Sequence, residues 1–112
     1  MKKRKIKFNE SINEAIYQSM KSDKKIVCYG LGVTDPRRVF YSTENLVEQF
    51  GKDRVFDVPT SENALTGIAV GLANLGSKVI LSHQRVDFSF LSMDQIINSL
   101  SKWHYMFGGI KS

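Results

Sequence analysis

Three short apolar runs, "KKIVCYG", "RVFDV" and "KVILS", lie between stretches of helical periodicity. Runs this brief and this continuously apolar are those of strands buried on both faces. Strands that alternate with helices pair in parallel, because each helix carries the chain back across the sheet. The helical stretches have their own signals. "NESINEAIYQSMK" sets Ile12, Ala15, Ile16 and Met20 on one face, with Asn9 as a plausible N-cap. "STENLVEQFG" opens at a Ser42 or Thr43 cap and stops at Gly51, and "SENALTGIAVGLANLG" runs from a Ser61 cap to Gly76 beyond its end. "DFSFLSMDQIINSLSKW" reads as one final helix, and "LGVTDPRRVFY", with Gly, Pro and charges, reads as a loop. The order is α-β-α-β-α-β-α, and the fold class is α/β: a mostly parallel sheet with helices on both faces. Three strands are few for that architecture, and a fourth is expected after "MFGGIKS". The fold is therefore expected to be incomplete at the C-terminus.

A chain of 112 residues makes one domain with a modest core. Its 42% hydrophobic and 24% charged residues are ordinary for a soluble globular protein. The net charge of +5 suggests nucleic acid until it is located. Lys2, Lys3, Arg4, Lys5 and Lys7 supply it, and the eleven remaining Lys and Arg balance eleven Asp and Glu. The expected division is a basic tail over residues 1–7 and a partial domain over 8–112. Such a tail could meet phosphate or anionic lipid, but it more often leads, solvated, into a first helix. We expect no nucleic-acid partner and no membrane partner. No stretch is long and apolar enough to span a bilayer, and "MKKRK" lacks the apolar run of a secretory signal. The single cysteine, Cys28, sits inside an apolar run as a packing residue. A reducing, cytoplasmic compartment is the expectation.

Candidate sites lie at the ends of the apolar runs. "YGLGVTD" has the first two glycines of a dinucleotide fingerprint but neither the third nor an immediate helix, so it reads as a tight turn. His83 and His104 have no partner at metal-ligand spacing, and no metal site is expected. His83, Gln84 and Arg85 follow the third strand at its carboxyl end, the edge where parallel sheets place ligands. Glu62 opens the helix "ENALTGIAVGLAN". A carboxylate there is favoured merely by unpaired amides and the helix dipole. Behind it, however, come Ala64, Gly67, Ala69, Gly71 and Ala73, which admit close approach by another backbone.

Three segments, "FNESINEAI", "LVEQFGKDRVFDVPTSENALTGIAVGLANLG" and "DFSFLSMDQIINSLSKWHYMFGG", resemble the beta subunit of thiamine-diphosphate-dependent 2-oxoacid dehydrogenases, the E1 component of the pyruvate and branched-chain complexes. The likeness runs from about Lys7 to Gly109, and Pro-x-Ser-Glu before a Gly/Ala-rich helix is its most specific part. The same transketolase-like pyrimidine-binding domain occurs in transketolases. The resemblance implies that Glu62 is catalytic and contacts the N1′ nitrogen of the cofactor's aminopyrimidine. That contact favours the imino tautomer, which takes the proton from the thiazolium carbon, and the carbanion then attacks the keto carbon of a 2-oxoacid. It also implies that Phe88 stacks on the aminopyrimidine, although a core phenylalanine is an equal reading, and that Gln84 lies along the same pocket edge. The partner implied is an alpha-type E1 subunit, which holds the diphosphate with Mg2+.

The chain also departs from the pattern. Family members carry acidic residues where Leu31 and Gly32 follow the first strand, and apolar or aromatic ones where His83 and Arg85 stand. Their active-site histidine, the potassium site of some members and their C-terminal domain would lie beyond Ser112. Three functions compete: an E1-beta-like component, a transketolase-type pyrimidine domain acting on sugars, and a non-catalytic binding module. The isolated chain is expected to be inactive and to self-associate. Its final helix is expected to bury Phe88, Leu91, Ile96 and Leu100 against the sheet.

Overall fold

The computed structural model describes residues 4–109. Three parallel strands, β1 (Ile26–Gly30), β2 (Val55–Asp57) and β3 (Lys78–Ser82), form one sheet in the order β2-β1-β3. The register sets Cys28 beside Val55 and Ile80, and Gly30 beside Asp57 and Ser82. All three expected strands form, and helices cover both faces. On one face Ile26, Cys28 and Val55 join Met20 of α1 (Phe8–Ser22), Leu46 of α2 (Leu46–Phe50) and Val33 in a buried cluster. On the other, Tyr29 stacks on Phe56 at 5.3 Å between ring centroids and reaches α3 (Glu62–Asn74). There its hydroxyl donates to the Leu65 carbonyl at 2.8 Å.

Strand pleating explains the division, since alternate side chains of β1 face opposite layers. Arg54 closes the opposite end of the sheet. Its guanidinium donates to the carbonyls of Met20, Asp23 and Ile26, each at 2.9 Å, and so joins the exit of α1 to the start of β1.

Helix ends and the last segment differ from the sequence expectations. Helix α1 begins after Lys7 and not after Asn9, because the Glu10 carboxylate accepts the Lys7 N–H at 3.0 Å. The Asn9 side chain is drawn away and donates to the Phe40 carbonyl. Neither Ser42 nor Thr43 caps α2; Asn45, in the left-handed region, precedes it. Thr43 is spent elsewhere, its hydroxyl lying 2.8 Å from the Val33 carbonyl and 2.9 Å from that of Arg38. Residues 38–41 all have positive φ, a left-handed turn costing about 1–2 kcal/mol per residue, which postpones the helix. Gly51 ends it as expected, at φ 81°.

The final helix forms as one unbroken helical stretch over residues 86–106, but its pitch changes along the way: α4 (Val86–Ser89), a 3₁₀ turn (Phe90–Ser92), a π-helical turn (Gln95–Leu100) and α5 (Ser101–Met106). The middle turns pack chiefly on α3. Ser92 is wholly buried there, its hydroxyl donating to the Glu62 carbonyl at 3.1 Å. Phe88 and Ile96 are consequently half-buried, while Leu91 and Leu100 stay 59% and 44% exposed. The expectation that all four would be buried against the sheet is corrected. In the tail, Arg4 pairs with Glu14 and Lys7 lies 3.9 Å from Glu10, while Lys2 and Lys3 lie outside the described residues.

Candidate functional site

The carboxyl ends of the three strands lie level, so the loops that follow β1, β2 and β3 converge at one edge of the sheet. This is the edge at which parallel α/β sheets offer backbone groups to ligands. Helix α3 starts there, and its first residue is Glu62. A narrow cleft lined by Leu31, Ser61, Glu62, Leu65, Gln84 and Phe88 opens beside it. The three sequence candidates, Glu62, Gln84 and Phe88, thus meet at one place.

Ser61 occupies the N-cap position of α3, as expected, but its side chain makes no capping hydrogen bond. The half-buried Glu62 carboxylate likewise has no hydrogen-bond or ion-pair partner among the described residues. It can still favour the helix through the dipole, yet its oxygens are free for a donor from outside. Phe88 is half-buried and lines the cleft with Glu62, so it is not a core residue. Its ring carries the Arg85 guanidinium 4.7 Å from the centroid, and Arg85 lies 3.5 Å from Asp87. Gln84 donates from Nε2 to the Leu31 carbonyl at 3.2 Å. Gly32 makes room for it: at φ +80° a Cβ on Gly32 would sit 2.5 Å from that nitrogen.

Sequence reasoning missed Asp57. Its carboxylate accepts the Gly32 N–H at 2.9 Å and the Val58 N–H at 2.8 Å. The Thr34 N–H and hydroxyl approach it at 3.5 and 3.4 Å. An acid closing a short strand gives no local sign of such a role, because two of its donor residues are supplied by a distant loop.

The cleft encloses about 10 Å³, room for roughly one water. A larger open groove of about 480 Å³ runs along β3 on the α1 side. Phe8, Ile12, Ile16, Phe40 and Ile80 line it, and residues 81–84 separate it from the Glu62 cleft. Among the described residues, no three His, Cys, Asp or Glu side chains gather as metal ligands, and no helix is long and apolar enough to cross a membrane.

Residues 4–110 match the family described as transketolase, pyrimidine binding domain. The chain is 36% identical over 104 residues to the pyruvate dehydrogenase E1 component subunit beta of Rickettsia bellii, covering 93% of this chain and 32% of that protein. It is 39% identical over 94 residues to the 3-methyl-2-oxobutanoate dehydrogenase subunit beta of Mycobacterium tuberculosis, covering 84% and 27%. With the mitochondrial pyruvate dehydrogenase E1 component subunit beta-1 of Arabidopsis thaliana it shares 36% identity over 100 residues, covering 89% and 28%. The chain spans between about a quarter and a third of the length of these relatives.

Proposed function

This chain belongs to the transketolase pyrimidine-binding domain family, and on that footing we propose that it supplies the pyrimidine side of a shared thiamine diphosphate site, as an E1-beta-like component of a 2-oxoacid dehydrogenase. The observation that carries the reading is the Glu62 carboxylate. It stands at the head of α3 on the ligand-binding edge, beside an aromatic ring, with no partner of its own among the described residues.

The residues fit the group. An aminopyrimidine needs a carboxylate at its ring nitrogen, an aromatic or apolar face and protection from water, and Glu62, Phe88, Leu31 and Leu65 are of those kinds. About 10 Å³ cannot hold a six-membered ring, so the ring would lie at the mouth of the cleft, with a second chain as its other wall. That supports a shared site. We assign the second chain as an alpha-type E1 subunit that holds the diphosphate and its Mg2+.

When bound, thiamine diphosphate supplies a carbanion and an electron sink for loss of CO2 from a 2-oxoacid. The chain's own residues set the proton traffic and geometry. Glu62 would hold the aminopyrimidine at its N1′ nitrogen and would favour the tautomer that can accept a proton. Leu31 and Leu65 strengthen that contact by excluding water. Phe88 offers the ring surface that Arg85 leaves open, and Gln84 bounds the cleft. We place the protein in the cytoplasm, consistent with its one buried thiol.

The test uses the purified chain with thiamine diphosphate, Mg2+ and pyruvate or a branched 2-oxoacid, alone and with an alpha-type E1 subunit. Decarboxylation only in the mixture is expected. Turnover by the chain alone would overturn the shared site. Cofactor binding without turnover in the mixture would favour the non-catalytic binding module, and sugar transfer the transketolase-type domain. We also propose self-association through the outer edge of β3, which pairs with no strand among the described residues. A monodisperse monomer in sedimentation would refute it.

A further inference from the structure

We propose that Asp57 and Gln84 are positioning residues that clamp the loop 31–34 from two sides and so preorganise the wall of the Glu62 cleft. The inference rests on the reading of that cleft as a cofactor site, and it concerns residues outside the Glu62 contact itself.

The loop after β1 is already pinned at its middle, where Val33 is buried in the core and its carbonyl accepts the Thr43 hydroxyl, but Gly32 at φ +80° leaves the flank that faces the cleft to be fixed by other groups. From the β2 side, Asp57 accepts the amides of Gly32 and Val58 at 2.9 and 2.8 Å and has no cationic partner among the described residues. Its negative charge is therefore met by peptide amides and the more distant Thr34 group, an arrangement that gathers backbone segments around one carboxylate. From the β3 side, Gln84 donates to the Leu31 carbonyl, immediately before the amide that Asp57 holds. Gly32 leaves room for the Gln84 amide, since a Cβ there would sit 2.5 Å from its nitrogen, and its φ of +80° suits glycine. Leu31 and Gln84 both line the cleft with Glu62, and Val58 opens the short loop that leads to Glu62. One network thus ties all three strand ends around the functional carboxylate. A wall ordered before the ligand arrives lowers the ordering cost of binding.

The experiment compares Asp57→Asn and Gln84→Leu with the unmodified chain in two readouts. Hydrogen exchange of the isolated chain follows the amides of Gly32 and Thr34. The complex with an alpha-type E1 subunit gives the half-saturating thiamine diphosphate concentration and kcat at saturation.

Asn keeps only one of the two acceptor oxygens and turns an NH2 either toward Thr34 or toward Gly32 and Val58, so exchange of the loop should accelerate while the amides of β1 stay protected. The half-saturating cofactor concentration should rise by roughly tenfold in Asp57→Asn, with kcat at saturation within about threefold, and by a few-fold in Gln84→Leu. A merely structural role would lower kcat through a smaller folded fraction and leave half-saturation unmoved, which would overturn the proposal. Unchanged loop exchange in both variants would overturn it as well. If Asp57→Asn does not fold, Gln84→Leu decides through exchange of the Gly32 and Thr34 amides in the isolated chain, where no cofactor contact enters. An unmodified complex that binds no thiamine diphosphate would sink the cofactor reading together with this inference. Normal binding by the unmodified complex and by both variants would sink this inference alone.

Discussion

Replacing Glu62 by Gln separates its two possible jobs, because the substitution keeps shape and removes charge. The stability cost is small. The carboxylate accepts no hydrogen bond among the described residues, so no buried partner is left unmet. What is lost is the attraction between a charge in the first turn and the amino end of a 13-residue helix, about 0.3–1 kcal/mol. In a domain of this size that moves the melting temperature by roughly 1–8 °C. The catalytic cost is of another order. An amide can lie near N1′ but cannot stabilise the protonated ring, and a positioned proton-transfer group is worth about 10²–10⁴-fold. That corresponds to about 2.7–5.5 kcal/mol of barrier. The assay is the initial rate of 2-oxoacid decarboxylation in the complex with an alpha-type subunit, at saturating cofactor, beside a thermal melt of the isolated chain. A melt lowered by no more than about 8 °C with a rate lowered at least a hundredfold is expected. Near-normal turnover would reduce Glu62 to a first-turn residue of α3. A melt lowered far beyond the dipole range would make the carboxylate structural.

Three further outcomes follow from the packing. Tyr29→Phe deletes the buried bond to the Leu65 carbonyl and should cost about 0.5–1.5 kcal/mol in urea unfolding, with decarboxylation in the complex largely retained; an unchanged unfolding midpoint would contradict it. Gly30→Ala places a Cβ 2.2 Å from the Ser82 carbonyl oxygen. Since that neighbour is backbone, β1 and β3 must part, and a loss of about 3 kcal/mol or more is expected, whereas a wild-type melt would refute the contact. Burial raises the Cys28 thiol from 9.0 to about 11. The unfolded chain releases this proton first, so stability is full below pH 9 and declines as pH rises toward 11, by about 2–3 kcal/mol. Cys28→Ala should flatten this alkaline limb; an identical limb in the variant would assign the decline to other groups.

Much of the architecture was legible because it is written in local periods. Continuous apolar runs marked all three strands, and Ser61, Glu62 and Gly76 marked the limits of α3 to within two residues. The same residues placed Glu62 on the ligand-binding edge, since a helix that follows a parallel strand must begin there. Periodicity failed where a residue had two possible partners. Thr43 looks like a cap, but the Val33 and Arg38 carbonyls claim its hydroxyl. Leu91 stands three residues after Phe88 and Leu100 four after Ile96, both helical spacings, yet Ser92 and Gln95 are the residues that meet α3, the latter against Gly67. Spacing reports that side chains share a face and says nothing of which surface will cover it.

The sequence by itself determined the α/β order, the buried strands and the position of one carboxylate at the head of a small-residue helix. The tertiary structure alone decided that this carboxylate stays unpaired among the described residues while Asp57, five positions earlier, is fully engaged. Local chemistry does not distinguish these two acids in advance. The parallel register sets Gly30 beside Asp57 and brings the amide of Gly32, 25 residues away, onto one of them and not the other.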